Sequence, residues 1–152
     1  MMSDEKLRRA KSFAIRLIAS RPYSVFMLRK KLCDKNYGEY ADYICSYYEE
    51  LGYLSDEKFC EAYINDAYSL KKHGKARITR YLREHGISSE VIEDCFSKLD
   101  LDFSASVDEI VASKAEKLDL TVDSNRRKLC GYLIRRGFKA SDVFSAVKKY
   151  SG

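Results

Sequence analysis

The sequence predicts an all-α fold made of three tandem three-helix repeats that form an elongated, curved helical array. Apolar residues recur at steps of three and four along nearly the whole chain, as they do on one face of a helix. One proline and seven glycines leave few positions that interrupt helices. Internal similarity at offsets of 50 and 51 residues divides the 152 residues into repeats 1–54, 55–100 and 101–152.

The first repeat contains three apolar runs that predict three helices. The first helix lies near 4–20 and ends before Pro22, because proline lacks an amide hydrogen and disfavours helix in the residue before it. Runs at 25–32 and 40–51 predict the next two helices, with a turn at 37–38. Two extra residues lengthen this turn relative to the other copies.

The second and third repeats are predicted to open with helices near 55–72 and 105–118. Ser55 stands as an N-cap before Asp56 and Glu57, whose negative charges suit the positive end of a helix dipole. Ser106 and Glu109 have the spacing of a capping box.

A second signal marks the end of the middle helix of each repeat. Two aliphatic residues four apart are followed, four residues later, by a residue type that tolerates the left-handed conformation, and then by an apolar residue. The three copies are Leu28, Leu32, Asn36 and Tyr37; Ile78, Leu82, Gly86 and Ile87; and Leu129, Leu133, Gly137 and Phe138. Accidental similarity within an irregular bundle is the alternative, but the joint recurrence of these features favours repeats.

Each copy then leads into another apolar helix. Val91-Ile92 with Cys95-Phe96, and Val143-Phe144 with Ala146-Val147, match Tyr43-Ile44 with Tyr47-Tyr48.

Basic residues are concentrated on the middle helices. The chain carries 28 Lys and Arg against 23 Asp and Glu, a formal charge of +5. Segments 71–83 and 126–139 hold six basic residues each and no acidic one, and 29–31 adds a smaller cluster. The candidate contact residues are Arg29, Lys30, Lys31, Lys71, Lys72, Lys75, Arg77, Arg80, Arg83, Arg126, Arg127, Lys128, Arg135 and Arg136.

These basic residues are predicted to form a discontinuous stripe. If Ile78, Tyr81 and Leu82 face the core, Arg77, Arg80 and Arg83 project outward. A nucleic-acid backbone or an acidic groove of a protein filament could bind such a stripe. A solvated helical surface whose long side chains shield apolar stems is the alternative for any single residue.

The remaining chemistry-bearing residues are interpreted as structural. Tyr43, Tyr47, Tyr63, Tyr81 and Tyr132 have the spacing of core residues, and Tyr68, beside Lys71 and Lys72, is the least poorly placed for base stacking. The five cysteines, at 33, 45, 60, 95 and 130, lack a CxxC spacing and are read as small buried residues. The chain has two histidines and no HExxH, phosphate-loop or GxSxG motif. We therefore expect that it has no enzymatic activity and binds no metal or cofactor.

No continuous apolar stretch approaches the length that spans a membrane, and the N-terminal segment is polar, with no apolar signal-peptide core behind it. The sequence therefore predicts a soluble cytoplasmic protein, with a monomer as the default.

The segment from Leu51 to Asp56, with Phe59, Gly74, Ile78, Leu82 and His85-Gly86-Ile87, resembles the central repeat of the RecX family of bacterial recombinase regulators. The resemblance is densest over 51–96 and extends to three tandem three-helix repeats. Ser55, Cys60 and Asn36 depart from the residues more usual in that family.

This resemblance implies a non-enzymatic regulator in DNA repair and the SOS response. Such a protein binds the RecA nucleoprotein filament on single-stranded DNA and suppresses its recombinase, ATPase and coprotease activities. A DNA-binding helical-repeat protein that acts without RecA is the alternative, and a structural adaptor is the third possibility.

Overall fold

The computed structural model describes residues 4–152, and within them it contains α-helices and no β-strand. The all-α prediction is confirmed. The helices are α1 (Asp4–Ser20), α2 (Val25–Asp34), α3 (Ala41–Glu50), α4 (Asp56–Asp66), α5 (Lys75–Glu84), α6 (Ser89–Lys98), α7 (Phe103–Ala115), α8 (Asp123–Arg135) and α9 (Ala140–Tyr150). A 3-10 turn at Gly38–Tyr40 precedes α3, and a π-helical turn at Ala67–Lys71 extends α4.

The ends of α2, α5 and α8 have the same backbone geometry. Asn36, Gly86 and Gly137 have φ values of 66°, 83° and 95°. In each case the next amide donates to the carbonyl five residues earlier, over 2.7, 3.0 and 3.2 Å respectively. This is the hydrogen-bond pattern of a Schellman motif, which satisfies carbonyls that a helix end leaves unpaired. The predicted stops are confirmed at all three positions.

The helix starts agree with the sequence in one case and differ in another. Ser55 Oγ accepts from the Lys58 amide over 3.2 Å, as expected of an N-cap. The capping box predicted at Ser106 is wrong, because α7 begins three residues earlier. Asp102 is its N-cap and accepts from the Ala105 amide over 3.0 Å, while buried Ser106 donates back to the Asp102 carbonyl.

The chain divides into two compact units, and each has its own apolar centre. The first contains the described residues up to Tyr63 together with Leu82–Cys95, and the second contains Ile64–Tyr81 with Phe96–Gly152. Apolar side chains buried in the first unit come from α1, α2 and α3: Ala10, Ala14, Leu28, Leu32, Ile44 and Tyr48. Those buried in the second come from α7, α8 and α9: Val107, Val111, Leu129, Leu133, Val143 and Val147.

Three tyrosines predicted to lie in the core are exposed. Tyr43, Tyr47 and Tyr132 retain 46%, 37% and 38% of their accessible surface. On α3 the buried face is filled by Ile44 and Tyr48, so the two remaining tyrosines stack on each other at its edge. Cation–π contacts cover part of these rings, because the Lys11 ammonium lies 4.2 Å from the Tyr47 ring centre and the Arg136 guanidinium lies 5.3 Å from that of Tyr132.

Three further expectations need correction. Cys33 is exposed at the end of α2 and Cys130 is half-buried, whereas Cys45, Cys60 and Cys95 are buried as predicted. Tyr68 is not an open stacking face, because its ring packs edge-on against Phe103 and its hydroxyl accepts from the Asp102 amide.

Phe144, matched in sequence to an inward position, also points outward. The core side of α9 is already occupied by Val143, Ala146 and Val147, so the Phe144 ring is left 55% exposed.

Candidate functional site

Basic residues of the second unit gather where the π-helical turn ends, α5 begins and α8 ends. Lys72 ends the turn in the left-handed conformation, with φ 56°. The Arg136 guanidinium then donates to the carbonyl oxygens of Lys71 and, over 3.3 Å, of Lys72. Arg136, predicted as a contact residue, therefore has a structural role that orders two neighbouring lysines.

At the same place the two backbones lie in direct contact. The Gly74 amide donates to the Arg136 carbonyl over 2.7 Å, and the Ala76 amide donates to the Gly137 carbonyl over 3.2 Å. A Cβ on Gly137 would overlap the backbone nitrogen of Arg77, and one on Gly74 would overlap the backbone of Gly137. We call this contact between the start of α5 and the end of α8 the second joint.

A similar contact in the first unit joins the start of α2 to the end of α5. Ser24 is fully buried, and its hydroxyl donates to the His85 carbonyl over 2.7 Å while accepting from the Met27 amide over 3.1 Å. A Cβ on Gly86 would overlap the Phe26 side chain. We call this contact the first joint.

His73 directly precedes Gly74 of the second joint and is half-buried. Its Nδ1 atom is buried without a hydrogen-bond partner among the described residues. The pKa of His73 is lowered to about 4, mainly by burial and also by the positive charges of Arg77, Arg136 and Lys71. The imidazole is therefore neutral at pH 7.

The basic residues of α5 differ in how far they are available to a partner. Arg80 and Arg83 are exposed and have no acidic partner within 4–152, and Lys75 is exposed with its ammonium 5.0 Å from the Phe96 ring centre. Arg77 was predicted to project outward, but it is half-buried because its backbone lies against Gly137.

On α8, the two arginines at its start are used within the fold. Arg126 and Arg127 both bind the Asp123 carboxylate, and Arg126 also donates to the Leu120 and Thr121 carbonyls over 2.9 Å each. Lys128 and Arg135 are exposed, and the described part of the chain offers them no acidic partner.

The basic residues on α2 lie close to acidic side chains. Arg29 forms an exposed ion pair with Asp42. Lys30 and Lys31 border a pocket of about 330 Å³ at the first joint, and Asp34 and Glu84 line the same pocket. The first joint therefore carries both signs of charge, whereas the second is almost wholly basic.

Of the predicted contact residues, the structure places Lys71, Lys72, Lys75, Arg77, Arg135 and Arg136 at or beside the second joint, within one unit. Sequence reasoning missed Lys148 and Phe144, which border a groove between α8 and α9. The signal for both was the helical spacing of α9, since Val143 and Val147 fill the buried face and leave the residue after each one outside it.

None of the described helices combines the length and apolar character that crossing a membrane requires. Residues 4–152 also contain no group of three or more His, Cys, Asp or Glu side chains placed to hold a metal ion.

These features define an all-α helical-repeat protein with a basic surface at the second joint. A family model described as RecX, second three-helix domain, matches residues 55–95. The chain is 33% identical over 141 residues to Regulatory protein RecX of Escherichia coli (strain SE11), covering 86% of this chain and 84% of that protein. It is 28% identical over 137 residues to the protein of the same name from Haemophilus influenzae (strain PittEE), covering 88% and 89%.

Solved structures show the same fold. RecX from Lactobacillus salivarius superposes with a TM-score of 0.80 at 16% identity, covering 97% of this chain and 98% of that one. A second crystal structure of regulatory protein RecX gives a TM-score of 0.82 at 16% identity, covering 95% and 73%. The chain belongs to the RecX family, whose members among these relatives are named regulatory proteins.

Proposed function

We propose that the protein is a non-enzymatic regulator that binds the RecA filament on single-stranded DNA and inhibits its recombinase, ATPase and coprotease activities. The observation that carries the proposal is the similarity to regulatory RecX proteins over 86% of the chain. Its setting would be DNA repair, recombination and the SOS response in the cytoplasm, with the protein acting as a monomer divided into repeats 1–54, 55–100 and 101–152.

Exposed cations of the second unit would supply the contact surface for such a filament. Lys72, Arg80, Lys128 and Arg135 are exposed and have no acidic partner within 4–152, so no internal ion pair must break before they meet a partner. A filament on DNA presents phosphates and acidic side chains, which a basic surface attracts at long range. The backbone hydrogen bonds of the joint limit the ordering that binding would require.

The test measures the ATPase rate of RecA on single-stranded DNA while the protein is titrated upward from substoichiometric amounts. The test variant reverses three cations of the second unit: Arg80→Glu, Lys128→Glu and Arg135→Glu. A matched control reverses the charge of three exposed cations outside the basic segments 71–83 and 126–139: Arg8→Glu, Arg16→Glu and Lys117→Glu. Circular dichroism confirms that both variants fold.

We expect the wild type and the control to inhibit at ratios well below one per RecA, and the test variant to need a much higher concentration. Equal inhibition by all three proteins would show that these cations are not the contact surface. Inhibition that begins only when the DNA is saturated would instead favour a DNA-binding protein that acts without RecA.

A further inference from the structure

Helices α8 and α9 border a groove of about 410 Å³ in the second unit. Its walls are apolar at Cys130, Phe144 and Val147, and three cations stand around them: Arg126, Arg127 and Lys148. Burial raises the pKa of the Cys130 thiol, against the opposing effect of Arg126, so this wall is uncharged at neutral pH. The volume lies in the range of pockets that hold one small ligand.

The aromatic ring in this groove is accessible. Phe144 is 55% exposed because the inward positions of α9 are filled by Val143, Ala146 and Val147. An exposed phenylalanine beside cations can stack on the face of another ring, and this stacking is tolerant of the base involved.

The cations around the groove leave an excess of positive charge. One carboxylate, that of Asp123, binds both Arg126 and Arg127, and the Lys148 ammonium has no acidic partner within 4–152. Because Asp123 fixes the two guanidinium groups, they lose little freedom when an anion binds. The complementary ligand is therefore a flat apolar group joined to a negative charge.

We propose that this groove binds one unpaired base of single-stranded DNA, with the base against Phe144 and a neighbouring phosphate at Arg127 and Lys148. A paired base would not offer its face to the ring, so duplex DNA fits less well. An acidic amphipathic helix needs several anchor positions along a longer groove. The inference goes beyond the proposed function, because this contact requires no RecA.

The test measures binding of the protein alone to a fluorescent oligothymidine by anisotropy. Phe144→Leu keeps an apolar side chain of similar size but removes the ring, and we expect it to bind about tenfold more weakly. Tyr53→Leu, at an aromatic residue that is 62% exposed in the other unit, is the matched control and should bind as the wild type does.

An abasic strand of the same length separates base binding from phosphate binding. The wild type should bind it more weakly than oligothymidine, and Phe144→Leu should cause no further loss. Crosslinking with 5-iodouracil-substituted DNA should attach the peptide that contains Phe144. Equal binding of both strands by the wild type, or crosslinks confined to other peptides, would overturn the proposal.

Measuring inhibition of the RecA ATPase by the same variants distinguishes this proposal from the proposed function. If Phe144→Leu weakens inhibition of the RecA ATPase but leaves DNA binding unchanged, the groove serves a protein and its assignment to a base is wrong. If Phe144→Leu weakens DNA binding and neither the wild type nor the variant inhibits the RecA ATPase, the groove assignment stands and the filament proposal fails.

Discussion

The two joints are copies of one contact that are closed in different ways. Ser24 and Gly74 are 50 residues apart, and each donates over 2.7 Å to a carbonyl at the end of a following helix, that of His85 or of Arg136. In the first joint the donor is a side-chain hydroxyl. In the second joint the donor is a backbone amide, and the two backbone segments therefore lie closer together.

This difference explains the residues that each joint accepts. The hydroxyl of Ser24 spans the gap to the first joint's carbonyl, so a side chain is required there. In the second joint the Gly74 and Gly137 backbones touch, which leaves no room for a Cβ on either residue. The first joint therefore requires a side chain at its donor position, whereas the second requires that both residues lack one.

The largest expected loss in the free energy of unfolding is at Gly137. Gly137→Ala places a Cβ against the Arg77 backbone at a residue whose φ is 95°, so both overlap and backbone strain oppose folding. We expect the free energy of unfolding to fall by about 3 kcal/mol or more. Urea denaturation followed by circular dichroism measures it.

Asn36 provides the control for this prediction. It adopts φ 66° at the equivalent stop of α2 and already carries a Cβ. Asn36→Gly should change the free energy of unfolding by no more than about 0.5 kcal/mol, because easier backbone geometry and greater unfolded-state entropy oppose each other. A loss at Gly137→Ala no greater than this would mean that the second joint can open without cost.

The sequence predicted the helix ends of this fold better than its surface. A Gly or Asn followed by an apolar residue specifies the Schellman geometry locally, so the stops at Asn36, Gly86 and Gly137 could be found from spacing alone. Spacing at the 50-residue offset also places Ser24 and Gly74 at equivalent positions, although neither is conspicuous in the sequence. It could not show that these residues contact His85 and Arg136, because those contacts join segments about 60 residues apart.

The basic surface was predictable only in composition. Fourteen cations could be chosen from their clustering, but which of them the fold uses depends on tertiary contacts. Arg126 and Arg136 bind backbone carbonyls, and Arg77 is partly covered by Gly137. Tyr43 and Tyr47 were misplaced for a related reason, since a helix with apolar residues on two faces can bury only one of them.

The next largest effect is expected at the hydroxyl that closes the first joint. Ser24→Ala removes the donor to the His85 carbonyl and the acceptor of the Met27 amide, both in a buried position. We expect a loss of about 2 kcal/mol in the free energy of unfolding. Ser55→Ala, at a half-buried N-cap whose side chain makes one hydrogen bond, should cost about 1 kcal/mol or less. Equal losses in urea denaturation would show that the contact with His85 contributes nothing.

Acid should weaken the second joint more than the first. His73 has a folded pKa of about 4, below its ordinary 6.5, so the unfolded chain binds its proton more readily between these values. Stability should therefore fall as pH falls through this window, and the first joint has Tyr23 at the equivalent position. From pH 7 to pH 5 we expect His73 to account for a loss of about 1 kcal/mol, which His73→Gln should remove. An unchanged pH profile in that variant would contradict the lowered pKa.

The smallest effect concerns charge and leaves stability nearly untouched. Lys72 stands in the almost wholly basic second joint, whereas Lys30 shares its pocket with Asp34 and Glu84. If the second joint meets DNA phosphates, Lys72→Gln should lower affinity for single-stranded DNA about threefold and reduce the slope of log affinity against log salt by about one. Lys30→Gln should change neither, since the nearby carboxylates repel phosphate. Equal salt slopes for the two variants would mean that the difference in charge between the joints does not determine where DNA binds.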